Sequence, residues 1–131
     1  MTEKHSSTIL VIDDETPIRE SLVEYFVDYG FSTRAASSAE EGLKLLEEYA
    51  FKLAVVDIRL PGINGIQFIH TAHQLYPALK YIIHTGSVHF RISSDLSIFG
   101  VGESDVFLKP VFNLELMLDR AKALLSPEVP R

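Results

Sequence analysis

"TILVIDDETP", residues 8–17, changes character twice within one short stretch. Thr8 to Ile12 is an apolar run suited to a buried strand; Asp13, Asp14 and Glu15 follow with no spacer. Thr16 and Pro17 then read as a helix start, Thr16 as N-cap and Pro17 at the first helical position. The stretch is the opening of a βα unit whose turn is crowded with acid. Like-charged carboxylates a few ångströms apart ionise together at high cost unless a cation or a hydrogen-bond donor sits among them. The rest of the chain has to supply both the remaining strands and the reason for the acids.

Working outward, short apolar runs recur at "FSTRAA" (31–36), "KLAVVDI" (52–58), "LKYIIHT" (79–85) and "DVFLK" (105–109). Segments of helical spacing lie between them and after the last. The first helix carries Ile18, Leu22, Tyr25, Phe26 and Tyr29 on one face and stops at Gly30. The second opens with "SAEE", where Ser38 and Glu41 have capping-box spacing, and buries Leu43, Leu46 and Tyr49. The third spans Gly65 to Tyr76, before Pro77, and the fifth Asn113 to Leu125, with Leu114, Met117, Leu118, Ala121 and Leu125 on one stripe. The fourth is weak: "VHFRISSDLSIFGV" (88–101) is rich in serine and β-branched residues, so a short or mobile helix is expected.

Near-continuous apolar strands alternating with amphipathic helices imply an α/β fold, a doubly wound five-stranded parallel sheet with helices on both faces. The 131 residues, 47% of them apolar, suit one domain, taken as residues 8–126 between a polar N-terminal tail, 1–7, and a C-terminal tail, 127–131. No secretory signal and no membrane span are read, and the absence of cysteine excludes disulfides and suits a reducing cytoplasm. Twelve basic against 18 acidic side chains, net −6, argue against direct nucleic-acid binding.

In open parallel sheets, ligands bind beyond the carboxyl ends of the strands. Those ends carry Asp13 and Asp14, then Asp57, then Thr85, then Lys109. Three carboxylates there suit a hard divalent cation such as Mg²⁺, and a carboxylate beside a metal, a hydroxyl and a lysine has the parts for phosphoryl transfer, Asp57 being the nucleophile. Singly, each has a plainer explanation: Asp13 and Asp14 as helix-dipole acids, Asp57 as a turn former before "PGING", Thr85 as a strand residue, Lys109 as a solvated charge. Their joint position at one edge is what favours chemistry.

The ordered set "ILVIDDE", "VVDIRLPGING", "IIHTG" and "VFLKP" resembles the receiver domain of bacterial two-component response regulators, over about Thr8 to Leu125. The resemblance implies a flavodoxin-like strand order, 2-1-3-4-5. It makes Asp57 the phosphoacceptor and Asp13, Asp14, Asp57 and the main-chain carbonyl of Arg59 the Mg²⁺ ligands. Thr85 becomes the switch hydroxyl and Lys109 the phosphate-binding lysine, with a cis bond to Pro110. Gly86 is the small residue that lets a phosphodonor approach, and Arg59 and Ser87 occupy positions that tune phosphoryl lifetime. The implied activity is transfer from a sensor histidine kinase or a histidine phosphotransfer protein to Asp57, then hydrolysis, so that the domain catalyses its own modification without turning over an external substrate. Output goes to a further domain or a target protein, and the fourth helix, fifth strand and fifth helix are the surface for output or homodimer contacts.

One departure stands out. The family's aromatic three residues before the lysine is Val106 here, with Phe107 one step later on the other side of the strand. Among the histidines, His70 and His73 lie one turn apart but lack a third metal ligand, and His84, next to Thr85, is expected neutral, hydrogen-bonded and turned from the site. Three rival functions are weaker. A docking-only module has Val106 as its sole support; a haloacid-dehalogenase-like phosphatase would put its nucleophile at strand one, and a flavodoxin would need a hydroxyl- and glycine-rich phosphate loop.

Overall fold

A computed structural model describes residues 5–111 and 113–126. Elements in chain order are β1 (His5–Ser6), β2 (Ile9–Ile12), α1 (Thr16–Asp28), β3 (Thr33–Ala36), α2 (Ala39–Glu48), β4 (Tyr49–Ala50) and β5 (Leu53–Val56). They continue with α3 (Gly65–Leu75), β6 (Lys80–Thr85), α4 (Ser94–Ile98), a 3₁₀ turn (Glu103–Asp105), β7 (Val106–Leu108) and α5 (Leu114–Leu125). The main sheet is parallel, ordered β3-β2-β5-β6-β7, which is 2-1-3-4-5 among its five strands. The segment read as a polar tail contributes β1, which pairs with β4 in a separate two-stranded sheet; residues 1–4 and 127–131 lie outside the described residues.

Side chains alternate across β2 and β5, so each strand feeds two cores. Leu10, Ile12, Ala54 and Val56 face α2, α3 and α4; Ile9, Val11, Leu53 and Val55 face α1 and α5. All eight are at most 1% exposed, and full burial of each of the larger ones is worth about 1.5–3 kcal/mol, so register is strongly fixed. Leu22 and Phe26 of α1 and Met117, Leu118 and Ala121 of α5 are buried as their spacing predicts, but Tyr29, at the end of the α1 stripe, is 55% exposed.

Helix ends follow local chemistry with two corrections. The Ser38 hydroxyl accepts from Glu41 N–H, but the Glu41 carboxylate accepts in return from Ser37 N–H at 2.6 Å instead of from Ser38 N–H. Asn64 and Gln67 make a complete capping box at α3. At α1 the N-cap is Glu15, with Thr16 already helical, and the Glu15 side chain makes no capping bond. Pro17 in the first turn helps to explain the shift, because its missing N–H leaves one less donor to cap. The fourth helix is short, as expected, at five residues. Among the described residues no helix is long and apolar enough to cross a membrane.

Candidate functional site

The strands β2, β5 and β6 end side by side, and register carries their next residues to one edge of the sheet. Asp13 and Asp57 are 1% and 4% exposed there, held through their backbones: Asp13 N–H bonds Ala36 O and Asp57 N–H bonds Ile12 O. Carboxylate bonds to the second residue on then fix the side chains. Asp13 Oδ1 accepts from Glu15 N–H at 2.9 Å, and Asp57 Oδ1 from Arg59 N–H at 3.1 Å. Gly65 closes the loop after Asp57: its N–H bonds Ile58 O, and any Cβ there would run into the Asp57 carbonyl.

Lys109 enters from the end of β7, its N–H bonded to Thr85 O at 2.8 Å, and its peptide bond to Pro110 is cis. Its ammonium donates to Asp57 Oδ2 at 3.1 Å and to Glu15 Oε2 at 3.0 Å. Asp13 Oδ2 lies 2.9 Å from the same nitrogen but outside hydrogen-bonding geometry, so this buried oxygen has a countercharge and no donor. Burial works against the lysine's charge, but the contacts to Asp13, Glu15 and Asp57 outweigh it and raise the pKa above the ordinary value. Asp57 moves the other way for an acid's charge: burial raises its pKa, Lys109 only partly offsets this, and the Asp13 charge adds to the rise.

One oxygen each from Asp13, Asp14 and Asp57 can lie within 4.8 Å of the others, and no other such group of three potential ligands occurs among the described residues. An all-carboxylate set, with one buried Asp13 oxygen that is paired only with the Lys109 charge, fits Mg²⁺, which takes few protein carboxylates and keeps open positions for water and phosphate. Arg59, Gly86 and Lys109 line the same small cleft as Asp14 and Asp57. Thr85 is fully buried, its hydroxyl accepting from Ser87 N–H at 3.1 Å; Ser87 O in turn accepts from Phe90 N–H. Val106 and Phe107 pack into opposite cores, as strand alternation requires.

Two residues differ from their sequence reading. His84 is neutral, but neither ring nitrogen has a hydrogen-bond partner, and it borders the site: it lines a cleft of about 670 Å³ with Glu15, Gly86 and Lys109. Its neighbour across the sheet is Phe107, which brings no hydrogen-bonding group. Burial, then the Lys109 charge, lowers its pKa to about 4. Glu15, one of the three acids of the first turn, has no role in the sequence reading; its link to Lys109 spans 94 positions. The hint available was its place two residues beyond Asp13, beside the helix start. Among the described residues His70 and His73 fall in no group of three potential metal ligands; His73 stacks on Phe99 at 4.2 Å and His70 lies 3.8 Å from Asp95, fastening α3 to α4.

The family model described as the response regulator receiver domain matches residues 9–122. An NtrX-like response regulator of Rickettsia conorii is 32% identical over 117 residues, which cover 86% of this chain and 24% of that protein. The chain thus spans about a quarter of the length of the curated relatives it matches. Among solved structures, the response regulator TrrA of Thermotoga maritima in complex with Mg²⁺-BeF is 33% identical, with a TM-score of 0.77 over 91% of this chain and 99% of that one. TrrA in complex with the histidine kinase ThkA gives 31% identity and a TM-score of 0.77, over 92% of this chain and 99% of that one.

Proposed function

The chain belongs to the response regulator receiver domain family, and from that premise we propose that it is a phosphoryl-accepting switch modified at Asp57. The observation that carries this is the single ammonium of Lys109 beside Asp57, with Asp13 and Asp14 near enough to share a cation. In the reaction, an Asp57 oxygen attacks the phosphorus of a partner's phosphohistidine. The phosphorus–nitrogen bond breaks as the oxygen–phosphorus bond forms, and the imidazole leaves with the electron pair and takes up a proton. Asp13, Asp14, Asp57 and the Arg59 carbonyl would hold Mg²⁺, which would supply positive charge for the phosphoryl oxygens. Lys109 binds one of those oxygens, and the Thr85 hydroxyl leaves Ser87 to bind another. Gly86 has open space where a side chain would begin, with nothing within 4 Å of a Cβ built there, and keeps the approach open. Water later attacks phosphorus and restores the carboxylate.

The donor is a sensor histidine kinase or a histidine phosphotransfer protein, in keeping with the kinase complex of TrrA, and the compartment is the cytoplasm. Ile98 of α4, Leu108 of β7 and Leu116 of α5 are 78%, 48% and 59% exposed. That apolar face is the surface for a homodimer or for an output domain or target protein.

Intact-protein mass after incubation with acetyl phosphate and Mg²⁺ tests the reading. One phosphoryl adduct is expected, absent from Asp57→Asn and absent with chelator. Labelling that survives Asp57→Asn sinks the assignment of the acceptor.

A further inference from the structure

Lys109 is asked to hold a phosphoryl oxygen, yet an ammonium has three hydrogens and this one already faces three carboxylates. A phosphoryl oxygen therefore competes with carboxylates already drawing on the ammonium, which donates to Asp57 and Glu15 and lies 2.9 Å from Asp13. Asp57 is the group being modified, and its contact passes to the phosphoryl it carries. Asp13 is 1% exposed, so separating it from the lysine would leave a buried charge uncompensated. Glu15 is 56% exposed and returns to water at little cost. It is the one partner that can leave cheaply.

Glu15 is also built to reach the lysine. Its N–H is held by Asp13 Oδ1 and its carbonyl accepts the first bond of α1 from Arg19 N–H, so the backbone is fixed on both sides. An N-cap side chain ordinarily turns back to bond the free N–H groups of the first turn. That of Glu15 makes no such bond and goes to Lys109 instead.

We infer that Glu15 is a positioning residue that tethers Lys109 in the resting site and competes with the phosphoryl group for its ammonium. This rests on the proposed phosphoryl site and adds to it a built-in bias toward the unphosphorylated state. In that state the lysine is shared between Glu15 and Asp57; in the phosphorylated state Glu15 is released to solvent and the ammonium turns to the phosphoryl oxygen.

The test is the affinity for beryllofluoride with saturating Mg²⁺, followed by ¹⁹F NMR, which resolves free from bound fluoride even when binding is weak. Glu15→Gln removes the competing charge at nearly constant size, and binding is expected to tighten about two- to five-fold, the range of an exposed ion pair. In a Lys109→Gln background the same change is expected to do nothing, because the tether is already gone. An equal gain in both backgrounds would mean that Glu15 acts only as a general negative charge, and unchanged or weaker binding by the Glu15→Gln variant with Lys109 intact would also overturn the inference. Failure of the unmodified protein to bind beryllofluoride would instead remove the phosphoryl site itself.

Discussion

Two buried aspartates in this domain are handled in opposite ways. Asp105, before β7, is 1% exposed and both its oxygens are used: Oδ1 accepts from Arg120 Nε at 2.5 Å and Oδ2 from Gly102 N–H at 2.8 Å. Asp13, equally buried, has one oxygen on Glu15 N–H and one with no donor. Its neighbours are further acids, Asp57 and Asp14, with the single Lys109 ammonium among them. A carboxylate serving the fold has its lone pairs met by the protein, while one serving a ligand leaves an oxygen for it. An unpartnered atom alone does not make the distinction, because Tyr81 Oη and His73 Nδ1 are also unpartnered. What separates the Asp13 cluster is surplus negative charge of one chemical type.

The largest effect expected from this comparison is at the satisfied site. Asp105→Ala frees the Gly102 N–H and leaves the Arg120 guanidinium, which is 34% exposed, without its carboxylate. Breaking a buried pair costs about 3–5 kcal/mol; with Arg120 partly screened by water, roughly 2–4 kcal/mol is expected. Urea unfolding measures it. A midpoint equal to that of the unmodified protein would mean that Asp105 is no more structural than Asp13, and the contrast would fail.

A smaller and pH-dependent effect is expected beside the functional cluster, at His84. Its folded pKa is lowered from 6.5 to about 4 by burial and by the Lys109 charge, with Asp13 and Glu15 opposing. Between these values the unfolded chain binds the proton and the folded chain does not, so stability rises with pH across the window and is lost as pH falls through it. At pH 7 the contribution is complete. His84→Leu removes the penalty, and near pH 4 the variant is expected to gain about 2–3 kcal/mol relative to its difference from the parent at pH 7. Parallel stability curves for the two proteins would show that His84 takes up its proton as readily folded as unfolded.

The two aspartates also differ in how much the sequence discloses. Asp13, Asp14, Asp57, Thr85 and Lys109 each follow an apolar run or close it, and a parallel sheet brings such positions to one edge whatever lies between. The central strands β2 and β5 are legible because four successive apolar, buried residues form a run too short for a helix and bounded by polar residues. Asp105 with Arg120 left no such mark: the pair joins a 3₁₀ turn to a helix 15 positions on, and neither residue sits in a pattern that demands the other. The tether from Glu15 was hidden for a similar reason. Its neighbour in the chain suggested a helix cap, and only the fold shows that the carboxylate is spent on Lys109. The missing partners of His84 depend on Phe107 lying across from it, which strand alternation alone does not reveal.

Asp57→Asn gives the smallest expected change in stability and the sharpest contrast with Asp105→Ala, because its sign is opposite. Burial and the Asp13 charge hold the Asp57 pKa above its ordinary 3.8, despite the hydrogen bond from Lys109. The folded state therefore binds this proton more readily than the unfolded one. Stability is greatest below the unfolded value and falls as pH rises through the folded value, so at neutral pH the full cost of ionisation is present. Asparagine keeps the shape without the charge, retains an acceptor for Arg59 N–H and leaves Lys109 with Asp13 and Glu15. At pH 7 Asp57→Asn is expected to unfold at a slightly higher urea concentration than the parent, and the advantage is expected to shrink as the solution is acidified and Asp57 of the parent takes up its proton. Added Mg²⁺ is expected to work in the other direction, since a cation bound among Asp13, Asp14 and Asp57 would stabilise the parent more than a variant with one carboxylate fewer. A neutral-pH loss of stability in metal-free buffer would mean that Asp57, like Asp105, is a structural acid whose pairing outweighs its burial.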